Sequence, residues 1–407
     1  MSELIANRKH RQEILKGIIR DIHAGADVEE VKSRFADLLA QVGPAEIGEI
    51  EQALINEGMP VEEIQRLCDV HVAVFRDSLE KQLTGAAAPQ DPAEEALHDL
   101  KEFNKKTGAL VEEIRGILDQ ISSAPDGGAD HSAQLAAWAA KHQQLLEVDK
   151  HYAKKENVLF PYLERYGISG PPMVMWGKHD EIRAALKEVT QVIAKAQEKL
   201  SGAQLAADIG SIVLPALADV SEMIYKEENI LFPLCRETFT QDEWREIGAQ
   251  FKDPLATVYK SKEAEARTAT GGAIELEVGA LTPEQLNLIF SHLPVDLTFV
   301  DENDEVAFFS LGPERIFERT RAAIGRKVQL CHPPSSMGVV ERILDDFKSG
   351  RRDVAEFWIP MKDMLVHIRY FAVRDSQGRY RGTLEVTQNI AEIKKITGEK
   401  RIYDYES

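Results

Sequence analysis

Two copies of a short motif, 72 residues apart, carry the side chains best suited to chemistry. Lys154–Pro161 reads KKENVLFP and Lys226–Pro233 reads KEENILFP, and each copy follows a His-Asp pair, one beginning at His98 and the other at His179. Imidazole and carboxylate groups without thiolates form a donor set that suits iron or manganese better than copper(I) or an iron–sulfur cluster. The repeat therefore predicts a metal site built from nitrogen and oxygen ligands.

Long helices must hold these side chains, because the apolar residues around them recur at helical spacing. The predicted helices are Ala93–Ser122, His131–Tyr166, Met175–Leu200 and Gln204–Arg236, followed by a shorter one from Gln241. Short loops rich in Pro and Gly join them, which is typical of an antiparallel four-helix bundle. In a duplicated helix hairpin, two histidines and two carboxylates meet in one interior, as in carboxylate-bridged di-iron proteins.

The bundle lies between two segments of different character. A stretch of small residues and prolines at 85–92 separates it from several short predicted helices, among them Val28–Val42 and Val61–Leu83. After a second break at 268–272 the apolar period changes to that of strands. The predicted domains are a helical one at 1–88, the bundle at 89–255 and an α+β domain at 280–397.

The C-terminal domain is predicted to be an antiparallel sheet with short helices. Its first strands, Asp296–Val300 and Val306–Phe309, form a hairpin after an amphipathic helix at Thr282–Leu293. The other predicted elements are the helices Pro313–Thr320 and Ser335–Lys348 and the strands Ala355–Pro360, Leu365–Val373 and Gly382–Thr387. The chain is thus predicted to be multidomain and mainly α, with an α+β domain at its end.

Composition excludes several classes of function. The chain has 407 residues with 49 Lys and Arg against 68 Asp and Glu, a formal net charge of −19, so we expect no binding to nucleic acid or to an anionic membrane. No apolar run approaches the ~20 residues of a membrane span, and the first residues lack a signal-peptide core. Three cysteines without a Cys-x-x-Cys pair exclude a disulfide framework and a four-cysteine zinc site. We therefore expect a cytoplasmic protein.

Four phrases of the sequence resemble bacterial proteins of one kind. They are Glu57–Ile64, His151–Asn157, Met175–Gly177 and Cys331–Pro334. The bundle motif is similar to the hemerythrin-like, His-His-Glu cation-binding family. The whole chain resembles proteins that join an uncharacterised helical domain, a hemerythrin-like domain and a C-terminal PAS domain. The resemblance implies a non-haem iron site with one or two ions.

The resemblance also assigns ligand roles to particular residues, spread over all four long helices. The implied ligands are His98 on the first helix, His151 and Glu156 on the second, His179 on the third and Glu227 or Glu228 on the fourth. Two further carboxylates, those of Glu102 and Glu222, face roughly the right way to complete the set.

Two positions depart from the family pattern. The fourth-helix histidine should fall at Met223, and the usual His-to-Glu spacing of four residues places Lys155 after His151. Glu156 lies ~140° round an ideal helix from His151, so both bind one site only through a π-bulge or a tilted helix. The centre is thus an asymmetric di-iron site, a mononuclear site or a lost one.

Other candidate residues have plainer interpretations. His142 is predicted to lie ~180° round the helix from the second-helix histidine and to face solvent. Cys68 and His71 share a helix face without further ligands in view, so a buried cysteine is favoured over half a metal or haem site. Cys331-His332 either closes a strand before the next helix or supplies an axial haem ligand.

The leading functional hypothesis is a sensor or adaptor. Its iron centre would respond to oxygen, nitric oxide or redox state, and the PAS-like domain would pass the change to a protein partner and form a homodimer. Two alternatives stay open: a di-iron enzyme that reduces nitric oxide or peroxide or donates iron for cluster repair, and an interaction protein with a decayed metal site. The enzyme is the less favoured class, although an open coordination position on the iron would serve a sensor and an enzyme alike. No Ser/His/Asp or Cys/His catalytic set and no phosphate-binding Gly-rich loop is evident.

Overall fold

The computed structural model divides the chain into a helical unit up to Val258 and a second unit from Tyr259 onward. It describes residues 13–18, 20–21, 30–31, 50, 52–60, 63–64, 91–122, 131–197, 202–253, 273–312 and 315–399. Most of the helices predicted for the N-terminal segment, and with them Cys68 and His71, lie outside the described residues.

The helical unit is built from long rods, some of them broken into consecutive pieces. The pieces are α1 Pro92–Ser122, α2 Ser132–Leu145, α3 Val148–Lys154, α4 Phe160–Arg165, α5 Gly170–Gln197, α6 Gly202–Asp208, α7 Leu214–Lys226, α8 Phe232–Thr238 and α9 Gln241–Lys252. Apolar positions bury one face of each rod, as on α1, where Val111, Ile114 and Leu118 recur every three or four residues and are buried. The α5 helix begins five residues before the predicted Met175, because its first turn tolerates two prolines.

Among the described residues, three π-helical turns interrupt the long helices. They are Lys155–Leu159, Ile209–Val213 and Glu227–Leu231. A proline stands two residues after the end of each turn, at Pro161, Pro215 and Pro233. A proline ring inside a regular helix collides with the carbonyl four residues earlier, and a wider turn relieves that collision. The positions of the prolines therefore account for the positions of the π turns.

The side chain of Gln52 covers the N-terminal end of α5. Its Oε1 accepts hydrogen bonds from the backbone N–H groups of Ser169 at 2.9 Å and Gly170 at 2.7 Å. Because the first N–H groups of a helix lack partners within the helix, this contact caps α5. A described part of the N-terminal segment thus packs on the bundle.

The second unit contains a five-stranded antiparallel sheet in the order β4-β3-β7-β6-β5. Two short strands, β1 Ile274–Glu275 and β2 Ala280–Leu281, precede it. The sheet strands are β3 Asp296–Asp301, β4 Val306–Phe309, β5 Val354–Met361, β6 Met364–Arg374 and β7 Tyr380–Asn389, and the helices are α10 Pro283–His292 and α11 Pro334–Lys348. Every predicted strand of this domain is present. The helices predicted at Thr282–Leu293 and Ser335–Lys348 are present too, as α10 and α11.

The predicted helix at Pro313–Thr320 is wrong over residues 315–320, which are not helical. The sheet holds their backbone instead: the N–H of Ile316 donates to Asp296 Oδ2 at 2.7 Å. The Arg315 guanidinium donates to the carbonyls of Ser310 at 2.6 Å and Phe317 at 2.8 Å. These tertiary contacts override the local helical pattern.

Among the helices in the described part of the chain, none is long and apolar enough to cross a membrane.

Candidate metal centre

A buried cluster joins the segment formed by α3 and its following π turn to the π turn at Glu227–Leu231. His151 Nε2 donates to Glu227 Oε2 at 2.7 Å, and the Lys155 ammonium contacts Glu227 Oε1. All three side chains are almost fully buried. Burial lowers the pKa of Lys155, the negative charge of Glu156 opposes that shift, and the direct contact with Glu227 favours the charged ammonium. The result is a buried ion pair with an imidazole on its other oxygen.

A second buried pair lies between the π turn at Lys155–Leu159 and α5. His179 Nδ1 donates to Glu156 Oε1 at 2.7 Å. The two terminal nitrogens of the Arg183 guanidinium donate to the same carboxylate, one to Oε1 at 2.9 Å and the other to Oε2 at 3.0 Å. Arg183 also reaches outward to Asp149 at 2.7 Å. Such fork-to-carboxylate pairing fixes the orientation of Glu156 and, through it, of His179.

Aromatic rings connect the two pairs. Phe103 stacks on His151 with ring centroids 4.5 Å apart, and Tyr152 stacks on His179 at 4.0 Å. The Lys155 ammonium lies 4.5 Å from the centre of the Tyr152 ring, a cation–π contact. Lys155 therefore lies between the two histidine–glutamate pairs.

The neutral form of both imidazoles decides what each nitrogen can do. Burial lowers the pKa of His151 and of His179, and the positive charge of Lys155 lowers both further. A neutral imidazole carries a single N–H, so His179, which donates from Nδ1, presents Nε2 as a bare lone pair. That Nε2 is fully buried and has no hydrogen-bond partner among the described residues.

The structure buries four of the eight candidate ligands in the cluster, and the other four, among them the half-buried Glu222, are at least partly exposed. His151, Glu156, His179 and Glu227 are buried in the cluster. His98 and Glu228 are exposed, and Glu102 is half-exposed, with its carboxylate 3.9 Å from Lys105. Met223, at the place of the family's fourth-helix histidine, is buried.

The local helix geometry explains how Glu156 and His151 share one interior. The π turn begins at Lys155, directly before Glu156, and supplies the bulge that a five-residue spacing requires. An equivalent turn begins at Glu227 in the second copy. In each copy an asparagine amide, that of Asn157 or of Asn229, donates to the carbonyl four residues earlier, at 2.9 Å and 2.8 Å.

Sequence reasoning missed the two cations of the cluster. Lys155 was noted only as a departure from the family spacing, although it occupies the position equivalent to Glu227 in the repeat. Arg183 follows His179 by four residues, which places both on one face of α5. These two spacings were the available signals.

The prediction for His142 is wrong, since this side chain is buried and its Nε2 donates to Thr190 Oγ1 at 2.8 Å. The two-residue break between α2 and α3 changes the helical phase that the prediction assumed to be continuous. In the second unit, His332 lines a small cavity with Tyr370, Thr383 and Glu385.

The donor types in the cluster, imidazole and carboxylate, are those that bind transition-metal ions. The bare Nε2 of His179 is an unused metal ligand, and a carboxylate at Nδ1 is the usual support behind a metal-bound imidazole. Lys155, however, places a cation where a second ion would need a ligand. Within the described residues, no three His, Cys, Asp or Glu side chains converge on one point. A bound ion would therefore draw Glu227 or His151 away from its present partner.

Comparisons with known families agree with the three-part plan. Residues 15–81 match a family of unknown function (DUF438), residues 95–235 match the hemerythrin HHE cation binding domain, and residues 286–391 match a PAS domain. No curated protein matches the chain.

Two solved structures are similar to parts of the chain. One is a C-terminal domain from Streptococcus mutans, with 32% identity over 31% of this chain and 97% of that one, and a TM-score of 0.30. The other is the PAS domain of a protein from Colwellia psychrerythraea, with 15% identity over 27% of this chain and 97% of that one, and a TM-score of 0.22.

A cation-binding helical domain joined to a PAS domain supports a metal-binding protein of the sensor type. The fold agrees, with a mainly helical chain that ends in an antiparallel sheet. The chain belongs to the proteins that join a DUF438 domain, a hemerythrin HHE domain and a PAS domain in this order.

Proposed function

We propose that this protein is a cytoplasmic non-haem iron sensor or adaptor. Its hemerythrin-like domain responds to oxygen, nitric oxide or redox state, and its PAS domain passes the response to a protein partner. The observation that carries the proposal is the buried, unpartnered Nε2 of His179, held in place through Glu156 by Arg183. A bare nitrogen in a dry site is costly unless a ligand takes it up.

The donor chemistry supports iron as the bound metal. The cluster offers imidazole nitrogens and carboxylate oxygens, and the buried thiol of Cys235 is not part of it. Such hard and borderline donors suit iron or manganese. Iron would supply the reversible redox change and the affinity for small diatomic molecules. His179 and His151 would hold the ion, and Glu156 would orient the first of them.

The PAS domain has an apolar surface that supports pairing with a second copy. Helix α10 buries none of its side chains and exposes Leu288 and Ile289, while Phe290 packs against Phe308. In a two-fold dimer the same patch meets itself, so a single apolar helix face is enough to form an interface. We therefore propose a homodimer through α10.

An interaction protein that has lost its metal is the second candidate, and the Lys155–Glu227 ion pair favours it. A carboxylate neutralised by a buried ammonium needs no metal ion. Metal content separates the two candidates, because only the sensor requires a bound ion.

The test is metal analysis of the protein purified without oxygen, with absorption spectra before and after exposure to air and to nitric oxide. We expect bound iron and a spectral change with at least one of the two gases. His151→Ala combined with His179→Ala should lose the iron while far-ultraviolet circular dichroism shows unchanged helix content. The exposed His98→Ala serves as the control and should keep its iron. A wild-type protein that takes up no iron would support the second candidate.

A further inference from the structure

The contact between Lys155 and Glu227 joins equivalent positions of the two repeats. The residues are 72 positions apart, which is the offset of the repeat itself. When a duplicated hairpin packs on its copy, equivalent residues meet at the axis that relates the copies. The ion pair therefore lies on the internal two-fold axis of the bundle.

The repeat shows what is unusual about this axis. Lys155 follows His151 by four residues, and Glu227 follows Met223 by four. At this spacing one copy thus has the histidine with a lysine in the second place, and the other has the carboxylate with a methionine in the first place. Together they make one complete histidine–carboxylate pair, which the structure shows as the 2.7 Å contact between His151 and Glu227.

A second cation at the axis would need a carboxylate where Lys155 now lies. The Lys155 ammonium is fully buried against Glu227 and above the Tyr152 ring, so it occupies both the space and the charge position of such an ion. Two cations within contact distance of one buried carboxylate repel each other strongly in a low dielectric. A metal ion and this ammonium therefore exclude each other at Glu227.

We infer that the Lys155 ammonium takes the place of one metal ion at the axis of the bundle, so that the natural chain binds one ion fewer than Lys155→Glu. This inference rests on the metal-binding role proposed above and assigns to Lys155 the control of metal number. The remaining ion is the one that His179 Nε2 would bind.

The experiment is an anaerobic titration of the full-length protein with Mn²⁺, with the bound metal counted by mass spectrometry after gel filtration. Lys155→Glu restores the four-residue His-to-Glu spacing and should hold one more ion than the wild type. The neighbouring exposed Lys154→Glu makes the same chemical change away from the axis and should match the wild type. The charge swap Lys155→Glu with Glu227→Lys keeps an ammonium at the axis and should also match the wild type.

Each outcome decides between the two claims. One ion in both Lys155→Glu and the wild type, or two ions in the wild type, would overturn the inference and leave the proposed function standing. No ion in either protein would overturn both. No ion in the wild type together with one in Lys155→Glu would overturn the proposed function and keep the inference. If Lys155→Glu folds only when Mn²⁺ is present, the metal has replaced the ammonium, which supports the inference. Failure to fold with and without Mn²⁺ would overturn it.

Discussion

His332 in the PAS domain is a neutral imidazole surrounded by charges. Burial lowers its pKa to about 4, the negative charge of Glu385 opposes the shift, and Arg319 and Arg326 add to it. A terminal nitrogen of the Arg319 guanidinium lies 3.4 Å from Glu385 Oε2, so this carboxylate is already paired with an arginine. Tyr370, on the neighbouring strand, contributes to the same cavity and has its own pKa raised by burial.

This residue predicts an acid sensitivity of the PAS domain. Between pH 6.5 and about 4 the unfolded chain binds a proton at His332 that the folded chain refuses, so stability falls as the pH falls through this range. His332→Gln removes the titration, and its unfolding temperature should change less between pH 7 and pH 5 than that of the wild type. Calorimetry at both pH values is the measurement, and the exposed His292→Gln is the control. Identical pH dependence in His332→Gln and the wild type would contradict the prediction.

Single residues were predictable here where their spacing was regular. His179 and Glu156 were found because both occur in a motif with a fixed place in the repeat. Arg183 and Lys155 were not given roles, since a cation on a helix usually faces water, and only packing shows that Lys155 does not. Which of Glu227 and Glu228 is buried likewise depends on the rotation of the π turn, which leaves Glu228 exposed.

At the scale of elements, the π turns have the largest effect on the centre. Pro161 leaves the carbonyl of Asn157 without its helical partner, and the turn at Lys155–Leu159 accommodates the ring. The same turn rotates Glu156 toward His179. A residue that appears to be only a helix breaker therefore places a carboxylate.

Pro161→Ala is the test of this coupling. A regular helix becomes accessible to the segment, so the unfolding temperature should stay the same or rise, because proline in a helix interior costs ~3 kcal/mol relative to alanine. Glu156 should lose its contact with His179, and the affinity for Mn²⁺ should fall by about tenfold or more, as for other supporting residues of metal sites. Isothermal titration and thermal unfolding measure the two effects.

The matched control is Pro215→Ala, since the π turn at Ile209–Val213 carries none of the four buried donors. That variant should keep the affinity of the wild type. Unchanged affinity in Pro161→Ala would show that the proline does not position Glu156.

Element boundaries were predictable where polar and apolar residues alternate regularly. The PAS strands, α1 and α9 follow the sequence within a few residues, because the period of the apolar residues is regular in each and clear turn residues stand at their ends. The errors at His142 and at residues 315–320 have different causes: a two-residue break between α2 and α3, and a hydrogen bond from the backbone of Ile316 to a carboxylate on β3. A break in helical phase and a backbone held by Asp296 leave no local pattern to read.

At the scale of the whole molecule, the proposed dimer can be tested directly with variants of the chain. We expect the full-length protein to sediment as a dimer. Leu288→Glu combined with Ile289→Glu should make it a monomer, because two buried carboxylates per subunit would have to lose their hydration at the interface. Sedimentation velocity is the measurement.

Val278→Glu is the control for the dimer, because Val278 is 92% exposed in the same unit and lies outside α10. It should leave the sedimentation coefficient unchanged. A double variant that remains dimeric would place the interface elsewhere, and a monomeric wild type would remove it.

The chain of contacts from Asp149 through Arg183 to Glu156 has a consequence for the whole bundle. The exposed fractions of the three side chains are 67%, 26% and 6%, so the series crosses from water to the interior in three steps. Salt screens charges at the wet end within about 8–10 Å, whereas the dry end is hardly screened. The exposed carboxylate of Asp149 is thus connected to the interior of the bundle through Arg183, so we expect a charge that docks beside Asp149 to change the electrostatic potential at His179.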